Sequence, residues 1–314
     1  MQALFNIINK PLGWVLENLA GLFGGSFAWA VFLFTLLINL ALIPLSIKSQ
    51  KSSVQQTRIK PKLDELKKRY GDDKQKYSQA MQTLYQEEGV SMSGGCLPMI
   101  LRLVLMMSIY YLIMQPLTYL MHIDAETIKE AAEALGVATA GGAGRAAATY
   151  ELKVIGALKD GSLNFPAIAN QINTIDFGFF GIDLTQTPKF SFNIFKDFQP
   201  IWIMPILAFA AQILSSLLSM KMQKKLNPEA PSMAGMMLTM PLISLWIGFS
   251  LPGGVAFYWA CSSLIGGIIQ VGVQNFYGPH KMLSRERAKE LIKQCDFEAD
   301  QIKKISAAKS EETN

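Results

Sequence analysis

Five long apolar stretches, residues 26–47, 96–121, 199–220, 233–251 and 253–277, hold one charged side chain among them, Arg102. Nothing else in the sequence restricts the fold as much. A hydrocarbon core of roughly 30 Å is crossed by about 20 helical residues at about 1.5 Å rise each, and every stretch reaches that length or falls one short. Buried helices of a large soluble protein would instead show apolar runs of about 10–14 residues broken by charges. The alternation of a membrane barrel strand is missing. All the other charges lie between and beyond the stretches, at the density of ordinary water-facing sequence, and half of the chain is apolar. Disorder, a fibrous chain and an ordinary soluble enzyme are excluded. The pattern predicts an all-α polytopic membrane protein with five transmembrane helices.

The segments outside the spans have their own patterns. In residues 1–25, Phe5, Ile8, Leu12, Val15, Leu19 and Leu22 recur at helical spacing. They predict an amphipathic helix lying in the membrane interface, with Asn9, Glu17 and Asn18 on its polar side and Pro11 starting or bending it. A simple leader into the first span is the plainer alternative. Residues 48–95 read as a helical hairpin turned at Gly71-Asp72-Asp73. Leu63, Leu66 and Tyr70 stripe one arm, and Tyr77, Met81, Leu84 and Tyr85 stripe the other. In the long loop 122–198, Asp124 is placed to cap a helix running to about Leu135. Gly141, Gly142 and Gly144 then break it ahead of an Ala-rich run. Residues 221–232 form a short basic loop and residues 278–314 a tail whose basic residues crowd toward the membrane. Cys96, Cys261 and Cys295 have no paired spacing, so no disulfide framework or zinc site is expected. Neither a signal peptide nor a transit peptide is expected at the start.

Orientation follows from Lys and Arg. With alternating spans, the hairpin, the short loop and the tail share one side with 21 of them, against 7 for the N-terminal segment and the long loop. The N-terminus is expected outside and the C-terminus in the cytoplasm of a plasma membrane.

Much chemistry is absent. There is no phosphate-binding glycine loop and no His-Glu-x-x-His, and His122 and His280 both lie outside the spans. The span serines Ser108, Ser215, Ser216, Ser244, Ser262 and Ser263 have no His or Lys within the membrane to activate them, so they read as helix-packing residues. No acidic residue lies in a span, which argues against an ion-coupled transporter. No catalytic residue, cofactor or metal is expected. Arg102 is the exception, since an intramembrane charge is costly and points to function. Snorkelling is the plain alternative, because the residue is roughly 9 Å from the cytoplasmic end. Asn39 in the first span lies about 12 Å from the same end, with Thr35 one turn further on the same face. A cation and an amide can therefore meet at one depth. Lacking an acidic partner in any span, Arg102 is expected to face a hydrated cavity open to the cytoplasm.

The hairpin run from Ile59 through Pro61, Asp64, Arg69 and Gly71 to Lys76, the Leu84–Val90 segment and the Gly95-Cys-Leu-Pro-Met-Ile motif closely resemble the YidC-type membrane protein insertases. Leu40 to Lys48 and Leu251-Pro-Gly-Gly-Val-Ala-Phe-Tyr-Trp agree, in the same order along the chain. The resemblance covers most of residues 3–277 and excludes the Ala-rich run. It implies a five-helix core around a hydrophilic groove, closed outside and open to cytoplasm and lipid. That groove receives the polar parts of nascent membrane proteins without nucleotide hydrolysis or bond chemistry. It also implies nascent chains and the bilayer as partners, names the ribosome and the Sec translocon as candidates, and involves no direct nucleic-acid readout.

The chain departs from the family at one informative place. The family usually carries its groove arginine five residues before the span-one proline, and here that position is Asn39, five before Pro44. The family often has an amide four residues after the proline of Cys-Leu-Pro, and here that position is Arg102, four after Pro98. The resemblance thus suggests that the cation has crossed to the facing helix at the same depth. Thr35, Gln212 and Ser216 are further candidates for the groove lining, and helix packing is the plain alternative for each. A structural assembly factor for a membrane complex and a small-solute transporter remain as other functional classes.

Overall fold

A computed structural model describes residues 2–90, 97–137, 149–172, 174–191, 196–226, 234–278, 284, 288 and 291–303. Helix α1 spans Gln2–Leu22, α2 Phe27–Ala41, α3 Ile43–Tyr70 and α4 Lys74–Glu87. They are followed by α5 Leu97–Met114, α6 Pro116–Tyr119, α7 Ala125–Ala134, α8 Tyr150–Lys159 and α9 Pro166–Ile172. A two-residue antiparallel pair, β1 Gly178–Phe179 and β2 Ile182–Asp183, leads to a 3-10 turn at Pro200–Trp202. Helices α10 Ile203–Leu226, α11 Ala234–Gly248 and α12 Gly253–Tyr277 complete the described elements. The chain is an all-α membrane protein.

Among the described residues, Pro200–Lys221 and Gly253–Tyr277 are each long and apolar enough to cross a membrane. Phe27–Ala41 and Ile43–Ser52 satisfy the same test only as a pair, because the helix breaks at Leu42. Leu103–Met114 and Leu238–Gly248 are shorter apolar helices. The second stretch is cut short by Pro116, whose ring cannot continue the ladder of α5. Cys96 and the Ala-rich run lie outside the described residues.

Residues 1–43 and 99–269 form one compact unit. Its core is strongly graded along the helices. Helix α5 buries Ser108, Ile109 and Leu112–Met114, but Leu101 and Leu103 are exposed. On α12 the run Val255–Tyr258 with Ala260 and Cys261 is buried, and burial then thins to Ile265, Gly267 and Val273. On α10 the last buried residue among the described side chains is Ala211. Packing is tight at the end nearest the long loop and sparse at the other.

The long loop forms a cap over the tight end. Asp124 accepts from the Glu126 and Thr127 amides at 2.9 and 3.2 Å and so starts α7, which packs on α8 through Ile128, Ala131 and Ala132. The cap is tied to the spans by main-chain hydrogen bonds. Phe27 N donates to Asp176 O at 2.9 Å, and Asp176 N donates to Gly25 O at 2.8 Å. Gly253 N and Gly254 N donate to Gln186 O and Leu184 O, each at 2.8 Å. These donors at the start of α12 have no partner within their own helix, so the cap satisfies them. A Cβ on Gly25 would stand 2.4 Å from Thr174 O, and its φ of 87° already requires glycine.

Helix α1 differs from the sequence reading. It starts at Gln2 and carries Pro11 in its interior. Its inner face is Asn9, Gly13, Leu16 and Ala20, packed on α2 and α6, so Asn9 is 0% exposed and not on a polar side. Of the apolar stripe, Leu19 is buried, Leu12 and Val15 pack against the core and Leu22 is 75% exposed. The small residues explain the rotation, because they let backbones approach. A Cβ on Gly13 would stand 2.3 Å from Tyr119 O. The outward face carries Ile7 and Trp14, so the helix is apolar on two sides.

Residues 44–98 and 270–314 form the second unit. Asp73 caps α4 through the Gln75 and Lys76 amides, both at 3.1 Å, and the turn at Gly71–Asp72 separates it from α3. Glu88, just past α4, pairs with Lys62 and with Arg58 of α3, the latter at 3.8 Å. The apolar stripes of the two arms are half-buried, with Leu84 and Ile59 buried. Residues 291–303 are helical and exposed.

Candidate functional site

Thr35 and Asn39 belong to the inward face of α2 with Phe27, Val31 and Phe34, and both are buried. Trp29, Phe32, Leu37 and Leu40 occupy the outward face. Thr35 Oγ1 donates to Val31 O at 2.6 Å, and Asn39 Nδ2 donates to Thr35 O at 2.8 Å. Both donors are thereby satisfied along the helix, which is how a polar side chain is tolerated in a span. The polar capacity left on this face is the Thr35 Oγ1 lone pairs, the Asn39 Oδ1 and the second N–H of the Asn39 amide.

Gln212 and Ser216 are half-buried, one turn apart on α10, beside the inner face formed by Met204, Ala208 and Ala211. Ser215 faces α12, where a Cβ on Gly267 would stand 3.1 Å from its Oγ. The sequence reading of Ser215 as a packing serine holds. Arg102 is in helical backbone of α5, and its side chain lies outside the described residues.

One contact relates the helices in depth. A Cβ on Gly254 would stand 3.1 Å from Ile113 Cγ2 and 3.5 Å from Phe27 Cε1, so α12, α5 and α2 meet at that level. Descending from it at helical rise, Arg102 lies about 17 Å down α5, Asn39 about 18 Å down α2 and Gly267, with Ser215, about 20 Å down α12. The backbones of these residues share one layer, and that layer begins where burial ends on α5 and α10. Ser108, above Arg102 on α5, is fully buried with no hydrogen-bond partner and marks the upper edge. Three residues of this arrangement, Gly254, Gly267 and Glu151 of the cap, escaped the sequence reading. The glycines stood inside apolar runs, and Glu151 sits in the first turn of a helix, where a solvated acid is ordinary.

Residues 18–280 match the profile of the 60Kd inner membrane protein family. The chain belongs to that family. Together with its apolar helices, this makes it a bacterial multi-pass membrane protein. A membrane protein insertase YidC 2 of Listeria innocua is 26% identical over 301 residues, 95% of this chain and 79% of that protein. Membrane protein insertases YidC of Methylococcus capsulatus and Stutzerimonas stutzeri are 38% and 36% identical over 112 and 108 residues. Those two matches take in 36% and 34% of this chain and 20% and 19% of the relatives, so the chain spans about a fifth of their length.

Proposed function

We propose that this chain is a membrane protein insertase that crosses the membrane five times, N-terminus outside and C-terminus in the cytoplasm. Its groove lies between α2, α5, α10 and α12 and opens toward the cytoplasm and lipid. Arg102 supplies the positive charge, Asn39 and Thr35 supply acceptors for its guanidinium and for water, and Gln212 and Ser216 complete the lining. The observation that carries this reading is the coincidence of the polar layer with the end of tight packing. Above the layer the helices bury their inward faces beneath the loop cap, and from the layer downward burial on α5 and α10 thins.

The mechanism is physical, with no bond made or broken. A guanidinium in a partly hydrated groove attracts the carboxylates of a polar segment more strongly than it would in bulk water. Hydration of the lower half shortens the apolar path that segment must cross. Burial of the client's apolar span in lipid, at roughly 25 cal/mol per Å², drives the step. Clients are nascent membrane proteins, delivered from the ribosome either directly or beside the Sec translocon, and the exposed hairpin arms are their first contact.

Reconstitution tests the reading. Full-length protein in vesicles is expected to insert a small single-span client with an acidic translocated segment. Arg102→Ala is expected to lower the yield several-fold, and Asn39→Arg combined with Arg102→Gln to restore it. Normal insertion of that client by Arg102→Ala would remove the groove charge from the mechanism. No insertion by the parent chain would remove the function.

A further inference from the structure

Glu151 is fully buried at the start of α8, in a segment that otherwise packs Leu152, Val154 and Ile155 inward. Its carboxyl accepts from Thr118 N at 3.1 Å and Thr118 Oγ1 at 2.7 Å, and Tyr150 Oη reaches it at 3.3 Å. The Leu117 amide also points to it. Leu117 and Thr118 form the turn directly after the Gln115–Pro116 break, where the helix that carries Arg102 stops. One side chain therefore joins the loop cap to the end of that helix.

We propose that Glu151 is a proton-operated clasp, which fastens α8 of the cap to the α5–α6 break in its neutral form and loosens when it ionises. The neutral carboxyl fits its site. One oxygen accepts from Thr118 N while the protonated oxygen donates to Thr118 Oγ1, whose own hydrogen can rotate away. Ionisation sends the proton to water and leaves a carboxylate in a buried site with no cation against it among the described residues. The groups acting on it are the Thr118 hydroxyl and amide, the Leu117 amide and the Tyr150 hydroxyl. Tyr119, on the same turn, spends its hydroxyl on Asn6 at 2.7 Å. Helix α7, packed on α8, turns Ile128, Ala131 and Ala132 inward. Its charges, Glu126, Lys129, Glu130 and Glu133, are exposed, and Lys129 pairs with Glu133 at 3.7 Å. Burial without a counter-charge pushes the Glu151 carboxyl up to about 7, against the pull of the Thr118 donors.

The clasp acts on the closed end of the bundle, so it sets how firmly that end is sealed. It does not depend on the insertase reading, because the test follows exchange and not insertion. Hydrogen exchange of residues 150–159 would be measured on the full chain in phospholipid nanodiscs from pH 5.5 to 8.5, corrected for intrinsic chemistry. The parent protein is expected to lose on the order of thirty-fold in protection across that range, the linkage expected of a carboxyl raised from its ordinary value of 4.5 to about 7. Glu151→Gln, which keeps the shape and cannot ionise, is expected to stay protected throughout. A flat profile for the parent protein or a Glu151→Gln profile that follows the parent would each overturn the clasp.

Discussion

Asn39 donates its amide to the carbonyl oxygen of Thr35, one turn away on the same helix, at 2.8 Å. Thr35 does the same to Val31 at 2.6 Å, so α2 carries a short ladder of side chains bonded back to their own backbone. The ladder lowers the cost of polarity in an apolar helix and leaves the Thr35 Oγ1 lone pairs and the Asn39 Oδ1 as acceptors.

That arrangement predicts a separation of stability from function. Thr35→Val and Asn39→Leu each remove one hydrogen bond, a loss of about 0.5–1.5 kcal/mol that added apolar contact partly offsets. Their thermal midpoints in nanodiscs are expected to stay within a few degrees of the parent. Insertion of an acidic-segment client is expected to fall several-fold, most strongly for Asn39→Leu at the depth of Arg102. Two variants with normal midpoints and normal insertion would mean that the ladder serves the helix alone.

A pair of glycines in α1 gives a stability prediction with an internal control. A Cβ on Gly13 would stand 2.3 Å from the Tyr119 main-chain oxygen, while a Cβ on Gly21 would meet nothing within 4 Å. Gly13→Ala must push α1 off α6 and is expected to destabilise by about 1–3 kcal/mol, as overpacking does. Gly21→Ala only removes backbone freedom in a helix and is expected to stabilise by about 0.5–1 kcal/mol. Thermal midpoints of the two variants should therefore move in opposite directions.

Local features were legible in the sequence because their causes are local. Asp124 was set by the orphan amides that follow it, and the Gly71–Asp73 turn separates two helices as its residues require. The apolar stretches announced a membrane protein without any knowledge of packing. What failed was the choice of neighbour. Periodicity put Asn9 on the polar side of α1, but it is buried in line with Gly13, where backbones can touch. The burial of Glu151 likewise depends on contacts distant in sequence, which a single chain read in order does not display. The polar layer was half legible. Asn39 and Arg102 could be matched by counting from the membrane end, whereas Gly267 and Ser215 joined them only through the contact at Gly254.

The hairpin depends on one acid in the same way. Glu88 receives Lys62 and lies 3.8 Å from Arg58, both on the opposite arm, and the Lys62 hydrogen bond is the chief reason its carboxyl is held below the usual range. Exposed pairs are screened by salt. Glu88→Ala is expected to widen the distance between spin labels on the two arms, and raising the ionic strength of the parent protein is expected to do the same in part. Buried Leu84 and Ile59 should keep both arms helical. Loss of helix signal in Glu88→Ala would show that the pair holds secondary structure and not only the spacing of the arms.

The loop cap has two acids whose linkages run in opposite directions, so its stability should pass through a maximum in pH. Asp124 is held below its ordinary value of 3.8, chiefly by the Thr127 hydroxyl and then by the Glu126 and Thr127 amides. A depressed carboxyl supports the fold above 3.8 and loses that support as pH falls through the lower folded value. Glu151 is raised from 4.5 to about 7 by burial. A raised carboxyl supports the fold fully below 4.5, and that support is lost as pH rises toward 7. The cap should therefore be most stable at about pH 4–5 and weaken on both sides, through α7 in acid and through α8 in alkali. Exchange of residues 125–134 and 150–159 followed from pH 3 to 9 would resolve the two limbs. Asp124→Asn, which can still cap, is expected to flatten the acid limb and leave the alkaline one. Glu151→Gln is expected to do the reverse. If one substitution flattened both limbs, the two acids would be acting as one unit, and the separate roles assigned to α7 and α8 would fall.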